Sequence, residues 1–449
     1  MPALPIRGNM NKLTLGKIIE GPSEIKFKVS SSIYTPFLDW NYRPEKEFTA
    51  SILDVMTGWC SGSPFVMSEK LFAGFVEWDD GEVSYDGKKQ VKFKFGGKQR
   101  LYVYEGKETY SALEEYNSII YDNYYSREDM FFGDPDLLSS HEYCTWVEQR
   151  YSRTAGTEMG ILSDKFLKNY LDRVQGMKLP PGKFTIDAGW FNLSGEGGIG
   201  DWDNDKVKFP DLAKTADMIK SYGHTPGIWL APSLVSKKSR LYSKVQGKIK
   251  DHYKWLSPDV PGTQEEYGIL PDCDYTRKHY KKVLQRLFDA GYRKFKLDIF
   301  YIEKRKMLPI VKLFREVAAE IDSGIELESH LPDIFLSKYI NAVRANDIWI
   351  NDTKSFAYGP EHFRICRLCS PHRITNLDHI GGNGFLSEKD YVNAHLGTMF
   401  TVPGYPVVSV LPDRFGRNTV DLVRKLLEEY SAKRKQYLNL VYSRKAGIY

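Results

Sequence analysis

Two periodicities divide the chain. Up to about residue 140, apolar positions recur every second residue in short runs. These are Glu24-Ile25-Lys26-Phe27-Lys28-Val29, Leu71-Phe72-Ala73-Gly74-Phe75-Val76, Glu82-Val83-Ser84-Tyr85, Gln90-Val91-Lys92-Phe93-Lys94-Phe95 and Leu101-Tyr102-Val103-Tyr104. Turn signals separate them, among them Asp79-Asp80-Gly81, Asp86-Gly87 and Gly96-Gly97. Strand-period runs punctuated in this way predict an antiparallel β-sandwich. A helix over 109–121, with Leu113, Tyr116 and Ile119 at helical spacing, links the sandwich to the larger, C-terminal part of the chain.

From His141 onward the pattern becomes strand, loop, helix, repeated. Strands are predicted at 143–147, 183–187, 225–230, 294–300, 324–328, 341–344, 373–377 and 407–411. Helices are predicted at 164–174, 212–222, 280–292, 307–321, 388–399 and 419–433, with Gly291 as a C-cap and Ser387 as an N-cap. Eight strand–helix units in about 300 residues predict a (β/α)8 TIM barrel, so the fold class is α/β, a barrel preceded by an N-terminal sandwich. The expected boundaries are a sandwich with helical linker over 1–140, a barrel over 141–435 and a short tail over 436–449, too short for a further β domain. An open doubly wound sheet is the structural alternative. Gly195-Glu196-Gly197-Gly198-Ile199-Gly200 does not give it a dinucleotide fingerprint, because it follows Asp187-Ala188-Gly189-Trp190 and not a strand-to-helix turn.

Composition narrows the function classes. Aromatic residues make up 14% of the chain, with 29 Tyr and 9 Trp, which suits a rich core or sugar-stacking surfaces. The 63 basic and 58 acidic side chains leave a net charge of +5, too weak to imply a nucleic-acid partner. No apolar run approaches the ~20 residues of a membrane span, and residues 1–21 carry no apolar signal core. The five cysteines are few and scattered. Cys366-x-x-Cys369, followed by His372, lacks the second pair that a closed zinc site needs. A cytoplasmic protein with no disulfide framework, no metal and no membrane partner is therefore expected.

Chemistry-bearing residues gather at the predicted strand ends. Lys296 and Asp298 share one face of the strand over 294–300, because strand side chains repeat every second residue. A cationic neighbour would hold the Asp298 carboxyl ionised. Trp146, Asp187 with Trp190, Asp201-Trp202, Trp229, Glu328, Arg344 with Asp347, and Asn376 with Asp378 and His379 stand at corresponding places on other units. Each alone has a structural explanation: a strand Trp is usually core, and an Asp after a strand often caps the next helix. Together, paired carboxylates with sugar-sized aromatic walls are what glycoside hydrolysis requires.

The ordered motifs resemble the α-galactosidase clan, glycoside hydrolase families 36 and 27. They are Tyr143-Cys144-Thr145-Trp146; Ile186-Asp187-Ala188-Gly189-Trp190 with Gly200-Asp201-Trp202; Lys208-Phe209-Pro210; Gly227-Ile228-Trp229-Leu230-Ala231-Pro232; Phe295-Lys296-Leu297-Asp298; Arg344-Ala345-Asn346-Asp347; and Asn376-Leu377-Asp378. The resemblance implies a sandwich plus catalytic barrel and a retaining α-galactosidase acting on a glycoside or oligosaccharide without a cofactor. It makes Asp298 the nucleophile and Asp347 the general acid/base, about 5–5.5 Å apart, with Arg344 in the matching Arg position. Lys296 and Asp187 then contact the sugar, Trp146 and Trp229 wall its pocket, and Glu328 of Glu328-Ser329-His330-Leu331 sits near the 2-hydroxyl. Trp190, Asp201, Trp202 and Asp378 complete the substrate-binding set. Ala188 stands where the family commonly has a second Asp, so the 4- or 6-hydroxyl is read differently here. Three other readings share these residues: a family 31-like α-glucosidase or α-xylosidase, a transglycosylase of the raffinose-synthase type, and a catalytically degenerate sugar-binding barrel. A homo-oligomer is compatible with all of them, although no surface is marked for it.

Overall fold

The computed structural model of the chain describes residues 14–30, 33–35, 47–53, 62–130, 132–152, 158–193, 196–256, 264–298, 303–330, 332–344, 367–376, 387–392 and 404–442. Among the described residues before the linker helix are eight short strands: β1 (Lys17–Ile19), β2 (Glu24–Lys28), β3 (Phe48–Ser51), β4 (Phe65–Met67), β5 (Leu71–Phe75), β6 (Gly81–Tyr85), β7 (Gln90–Phe95) and β8 (Leu101–Glu105). The five predicted runs are β2, β5, β6, β7 and β8, and β1, β3 and β4 are strands that the alternation did not anticipate. They form two four-stranded sheets, ordered β1-β8-β5-β4 and β2-β7-β6-β3, and every pairing is antiparallel. Along β7, Val91 and Phe93 turn inward against Phe75, Val83 and Val103, while Gln90 and Lys94 stay outside. This is the half-buried pattern that period-two alternation produces.

A helix, Thr109–Tyr124, lies on the other face of the first sheet. Its Leu113, Tyr116 and Ile120 meet Phe65, Phe72 and Tyr102 from the sheet, and Phe335 and Leu368 from the second half of the chain. One apolar cluster therefore joins sandwich, linker helix and barrel.

The barrel strands are β9 (Glu142–Cys144), β10 (Lys183–Ile186) and β11 (Thr225–Leu230), then β15 (Lys294–Leu297), β16 (Glu326–Ser329), β17 (Ala342–Arg344), β18 (Ile374–Asn376) and β19 (Val407–Val408). Between β11 and β15 the chain makes a small antiparallel sheet of β12 (Leu234–Ser236), β13 (His252–Leu256) and β14 (Gln264–Ile269), ordered β12-β14-β13. The eight barrel strands pair in parallel as neighbours, in the order β18-β17-β16-β15-β11-β10-β9-β19. A parallel bridge between Asn376 and Tyr405, with the Tyr405 N–H donating to the Thr375 carbonyl at 2.9 Å, closes the ring. The helices pack outside it. Ser163 caps Asp164–Gly176 and Asp211 caps Leu212–Ser221, each by accepting from backbone N–H groups of the first turn. Gly291, at φ +112°, follows the helix Asp274–Asp289 in the left-handed backbone region that favours glycine.

The interior of this barrel is charged. Such interiors are usually filled by branched apolar side chains. Here Phe295 and Leu297 of β15 pack into the apolar layer beneath the helices, while Lys294 and Lys296 of the same strand enter ion pairs across the barrel. Lys183 pairs with Glu326 at 3.0 Å, Lys294 lies between Glu142 and Glu328, and the Tyr405 hydroxyl donates to Glu326 at 3.1 Å and Glu328 at 3.3 Å. Each of these groups is buried, so each charge depends on its partner. Among the described residues no helix is long and apolar enough to cross a membrane.

Candidate active site

The C-terminal strand ends converge on one carboxylate. Asp298 follows β15 directly and extends its ladder, its N–H donating to the Leu230 carbonyl at 2.9 Å. Its side chain keeps 19% exposure, against 3–4% for the His330 and Arg344 side chains beside it. It is therefore the accessible member of the group. The Trp229 indole Nε1 donates to Asp298 Oδ2 at 2.9 Å, and Arg344 Nη2 donates to Oδ1 at 2.8 Å. Burial alone would push this carboxyl up. The Arg344 guanidinium, with Lys296 and the Trp229 hydrogen bond, outweighs it and holds Asp298 far below the usual carboxylate range.

Lys296 is one layer deeper. Its Nζ lies 2.7 Å from Asp187 Oδ2 and 3.8 Å from the Cys144 sulfur. The Cys144 thiol donates to the same Asp187 oxygen at 3.2 Å, and burial pushes that thiol's pKa well up, so it stays protonated. Asp187 Oδ1 accepts the Ala188 N–H at 2.8 Å. Among the described residues, the cation in hydrogen-bond contact with Asp298 is thus Arg344, from another strand, and Lys296 acts on it through space. His330 lies between these groups. Burial and the adjacent guanidinium lower its pKa to about 4, so it is neutral at pH 7 and its Nδ1 accepts from Arg344 Nη2 at 2.8 Å.

The remaining candidates separate by exposure. Trp146, at the end of β9, is half-buried. Trp229 stacks on Phe191 with centroids 5.8 Å apart and 11° between planes. Trp190 and Trp202 are fully enclosed: Trp190 Nε1 donates to the Trp229 carbonyl at 2.9 Å, and Trp202 Nε1 to the Tyr280 hydroxyl at 3.2 Å. They form the layer on which Trp229 rests. Asp201 has its carboxylate turned onto backbone, accepting from Gly197 N at 3.0 Å, Arg240 N at 2.9 Å and Leu241 N at 3.0 Å. That ties the 196–203 loop to the helix Arg240–Val245. Glu328 is fully buried among Lys294, Tyr405 and Arg344. Lys294 and Arg344 hold it ionised against the opposing effect of burial. Asn376, at the C-terminal end of β18, donates to the buried Glu142 at 3.3 Å. Asp347 and Asp378 lie outside the described residues, as does Cys366 of the Cys-x-x-Cys pair. Among the described residues no three His, Cys, Asp or Glu side chains are grouped to hold a metal ion.

Sequence reasoning missed His330, Cys144, Glu142 and Lys294. The signal for His330 was present: Glu326, Glu328 and His330 occupy alternate positions, so all three share the inward face of β16 and its extension.

Comparison with known proteins points the same way. No protein-family model matches the chain. Residues of the chain align at 34% identity over 99 residues with α-galactosidase Mel36A of Lactobacillus acidophilus, which is 21% of this chain and 12% of that relative. An α-galactosidase of Escherichia coli aligns at 30% identity over 89 residues, 19% of this chain and 11% of that protein. The matched stretches thus span about an eighth or less of these relatives' length. Among solved structures, the Thermus thermophilus α-galactosidase in complex with p-nitrophenyl α-D-galactopyranoside superposes with TM-score 0.62 at 16% identity, over 92% of this chain and 89% of that one. A family 31 α-xylosidase from a soil metagenome, complexed with xylose, gives TM-score 0.68 at 13% identity, over 94% and 67%. The chain is similar in sequence to α-galactosidases, and its fold is the sandwich-plus-barrel fold that family 36 and family 31 glycosidase structures share.

Proposed function

We propose that the chain is a retaining α-glycoside hydrolase, acting as an α-galactosidase on terminal α-galactosyl residues of glycosides or oligosaccharides in the cytoplasm. The observation that carries this reading is Asp298: an ionised, accessible carboxylate at a barrel strand end, with one oxygen on Arg344 and the other on Trp229. Asp298 attacks the anomeric carbon. Asp347 first gives a proton to the leaving oxygen and then takes one from the water that releases the sugar. A nucleophile needs its charge before the substrate arrives, and the groups around Asp298 supply the field that keeps it. Trp229 and Trp146 offer apolar faces to the sugar ring, with Lys296, Asp187 and Asp378 beside its hydroxyls.

Ala188 favours a second reading of the substrate. It sits buried beside Asp187, whose oxygens are already engaged by Lys296, Cys144 and the Ala188 N–H. A sugar that lacks a polar substituent at that corner, such as a pentopyranoside, loses nothing there. Initial rates on p-nitrophenyl α-galactoside, α-glucoside, α-xyloside, α-N-acetylgalactosaminide and β-L-arabinopyranoside separate the two. Asp298→Ala abolishes turnover, and Asp347→Ala lowers it by about 10²–10⁴-fold. Asp352→Ala, at the next carboxylate of the same segment, checks which of the two delivers the proton. First release of the β-anomer from an α-glycoside would rule out retention, and a wild-type chain inert on every member would refute the reading.

A further inference from the structure

Three adjacent strands each contribute one residue at the same level of the barrel mouth. Lys294 and Lys296 of β15 pair with Glu326 and Glu328 of β16, so one step further on Asp298 is level with His330. Glu328 pairs with Ala342 of β17, so the next step sets His330 level with Arg344. The middle strand therefore stands between the carboxylate and its guanidinium. Arg344 reaches across that strand to Asp298, and the strand holds both of its terminal nitrogens. Nη2 is 2.8 Å from His330 Nδ1, and Nη1 is 3.7 Å from Glu328 Oε1. The same Nη2 is 2.8 Å from Asp298 Oδ1.

We infer that His330 is a positioning residue for the nucleophile, accepting one hydrogen of Arg344 Nη2 so that the other is aimed at Asp298. An Arg nitrogen can only donate, so the His330 nitrogen facing it is unprotonated and the ring proton is on Nε2. The imidazole Nδ1 is 3.3 Å from Asp298 Oδ1, yet it is no ion-pair partner while neutral. Its part is to fix the plane of the guanidinium. Without that acceptor the guanidinium can rotate about its long, flexible stem, and the carboxylate loses the oriented donor that spaces its two oxygens between attack and charge stabilisation. Glu328 supports the other nitrogen from the layer below, itself held by Lys294.

This inference rests on Asp298 being the nucleophile, so its test has one arm that needs no turnover. ¹⁵N NMR of histidine-labelled protein at pH 7, with His330 assigned by the signal lost in His330→Asn, is expected to give a neutral ring protonated on Nε2. A ring protonated on Nδ1, or an imidazolium, would overturn the inference whatever the protein hydrolyses. The second arm uses the best glycoside of the panel. His330→Leu, which fills the space without an acceptor, lowers kcat by about 10–100-fold at little change in KM. His330→Asn, whose amide oxygen can stand where Nδ1 stands, recovers most of that loss. A fully active Leu variant, or equal losses in both variants, would overturn it. A wild-type chain inert on the whole panel, with the expected tautomer, fails the glycosidase reading and removes the nucleophile that His330 would position.

Discussion

Acidification from pH 7 to pH 5 should destabilise this fold steeply, because three imidazoles are buried in their neutral form. His141 packs against Tyr143 and approaches the Pro180 carbonyl at 3.0 Å; burial lowers its pKa to about 3. His224 packs edge-on against the same Tyr143 ring, with centroids 5.2 Å apart, and accepts the Gly182 N–H at 3.2 Å; burial lowers it to about 4. His330, between Asp298 and Arg344, is likewise lowered to about 4 by burial and the guanidinium. In the unfolded chain each would titrate near 6.5. As the pH falls below 6.5 the unfolded chain takes up protons that the folded chain refuses until about pH 4. Stability is therefore complete above 6.5 and is lost on the way down. With about 1.4 kcal/mol per unit of pKa difference, each imidazole accounts for about 2 kcal/mol between pH 7 and pH 5, and the three for about 6 kcal/mol. That is a large part of the stability of an ordinary domain. His279, lowered in the same direction, adds to the slope. Urea unfolding at pH 7, 6 and 5 measures it. His224→Asn keeps an acceptor for the Gly182 N–H and removes one titrating group, so it should flatten the slope by about a third. Equal stability at pH 5 and pH 7, or an unchanged slope in His224→Asn, would refute the assignment of neutral buried rings.

Two further substitutions test the site directly. Trp229→Phe keeps the stacking on Phe191 and removes the indole donor 2.9 Å from Asp298 Oδ2; kcat/KM on the preferred glycoside should fall by about 10–100-fold with the melting temperature little changed. Lys296→Met leaves the Asp187 carboxylate buried without its cation, which should cost about 3–5 kcal/mol in urea unfolding. Lys296→Met combined with Asp187→Leu should restore most of that stability and none of the activity.

The elements that could be read from the sequence are those fixed by local chemistry. All eight barrel strands fall where alternation and turn residues put them, and Thr225–Leu230 matches residue for residue. The expected cap at Ser387 is a real cap, its hydroxyl accepting the Asp390 N–H, because a side-chain oxygen just upstream of free N–H groups stabilises a helix start. The small sheet β12–β14 was not legible. Its strand at Leu234 pairs with Ile269 across a lysine-rich stretch that carries no alternation of its own. The final helix was legible in part: it runs Arg417–Tyr442, well past the expected 433, with polar residues filling its exposed side.

Within the site, the limit of the sequence is register. Lys296 and Asp298 share a face by the period of the strand, and that much is legible. Two residues along a strand, however, are about 6.6 Å apart. Lys296 therefore serves the layer of Asp187, and the layer of Asp298 is completed by whatever the neighbouring strands place at its height. Those residues are Trp229, His330 and Arg344, which are 69 and fewer positions away along the chain and meet only through the β11–β15–β16–β17 pairings. The same reasoning explains why the barrel can hold so many charges. Lys294 on β15 lies between Glu142 on β9 and Glu328 on β16, Lys183 on β10 meets Glu326 on β16, and Lys296 on β15 meets Asp187 just after β10. Each buried cation therefore finds its carboxylate only when these strands are aligned around the barrel. A slip of one residue by β15 or by β16 would turn its own two charged side chains toward the apolar layer and strip their partners of countercharge, at prohibitive cost. The ionic interior thus helps to select the register, and that register brings Arg344 to Asp298.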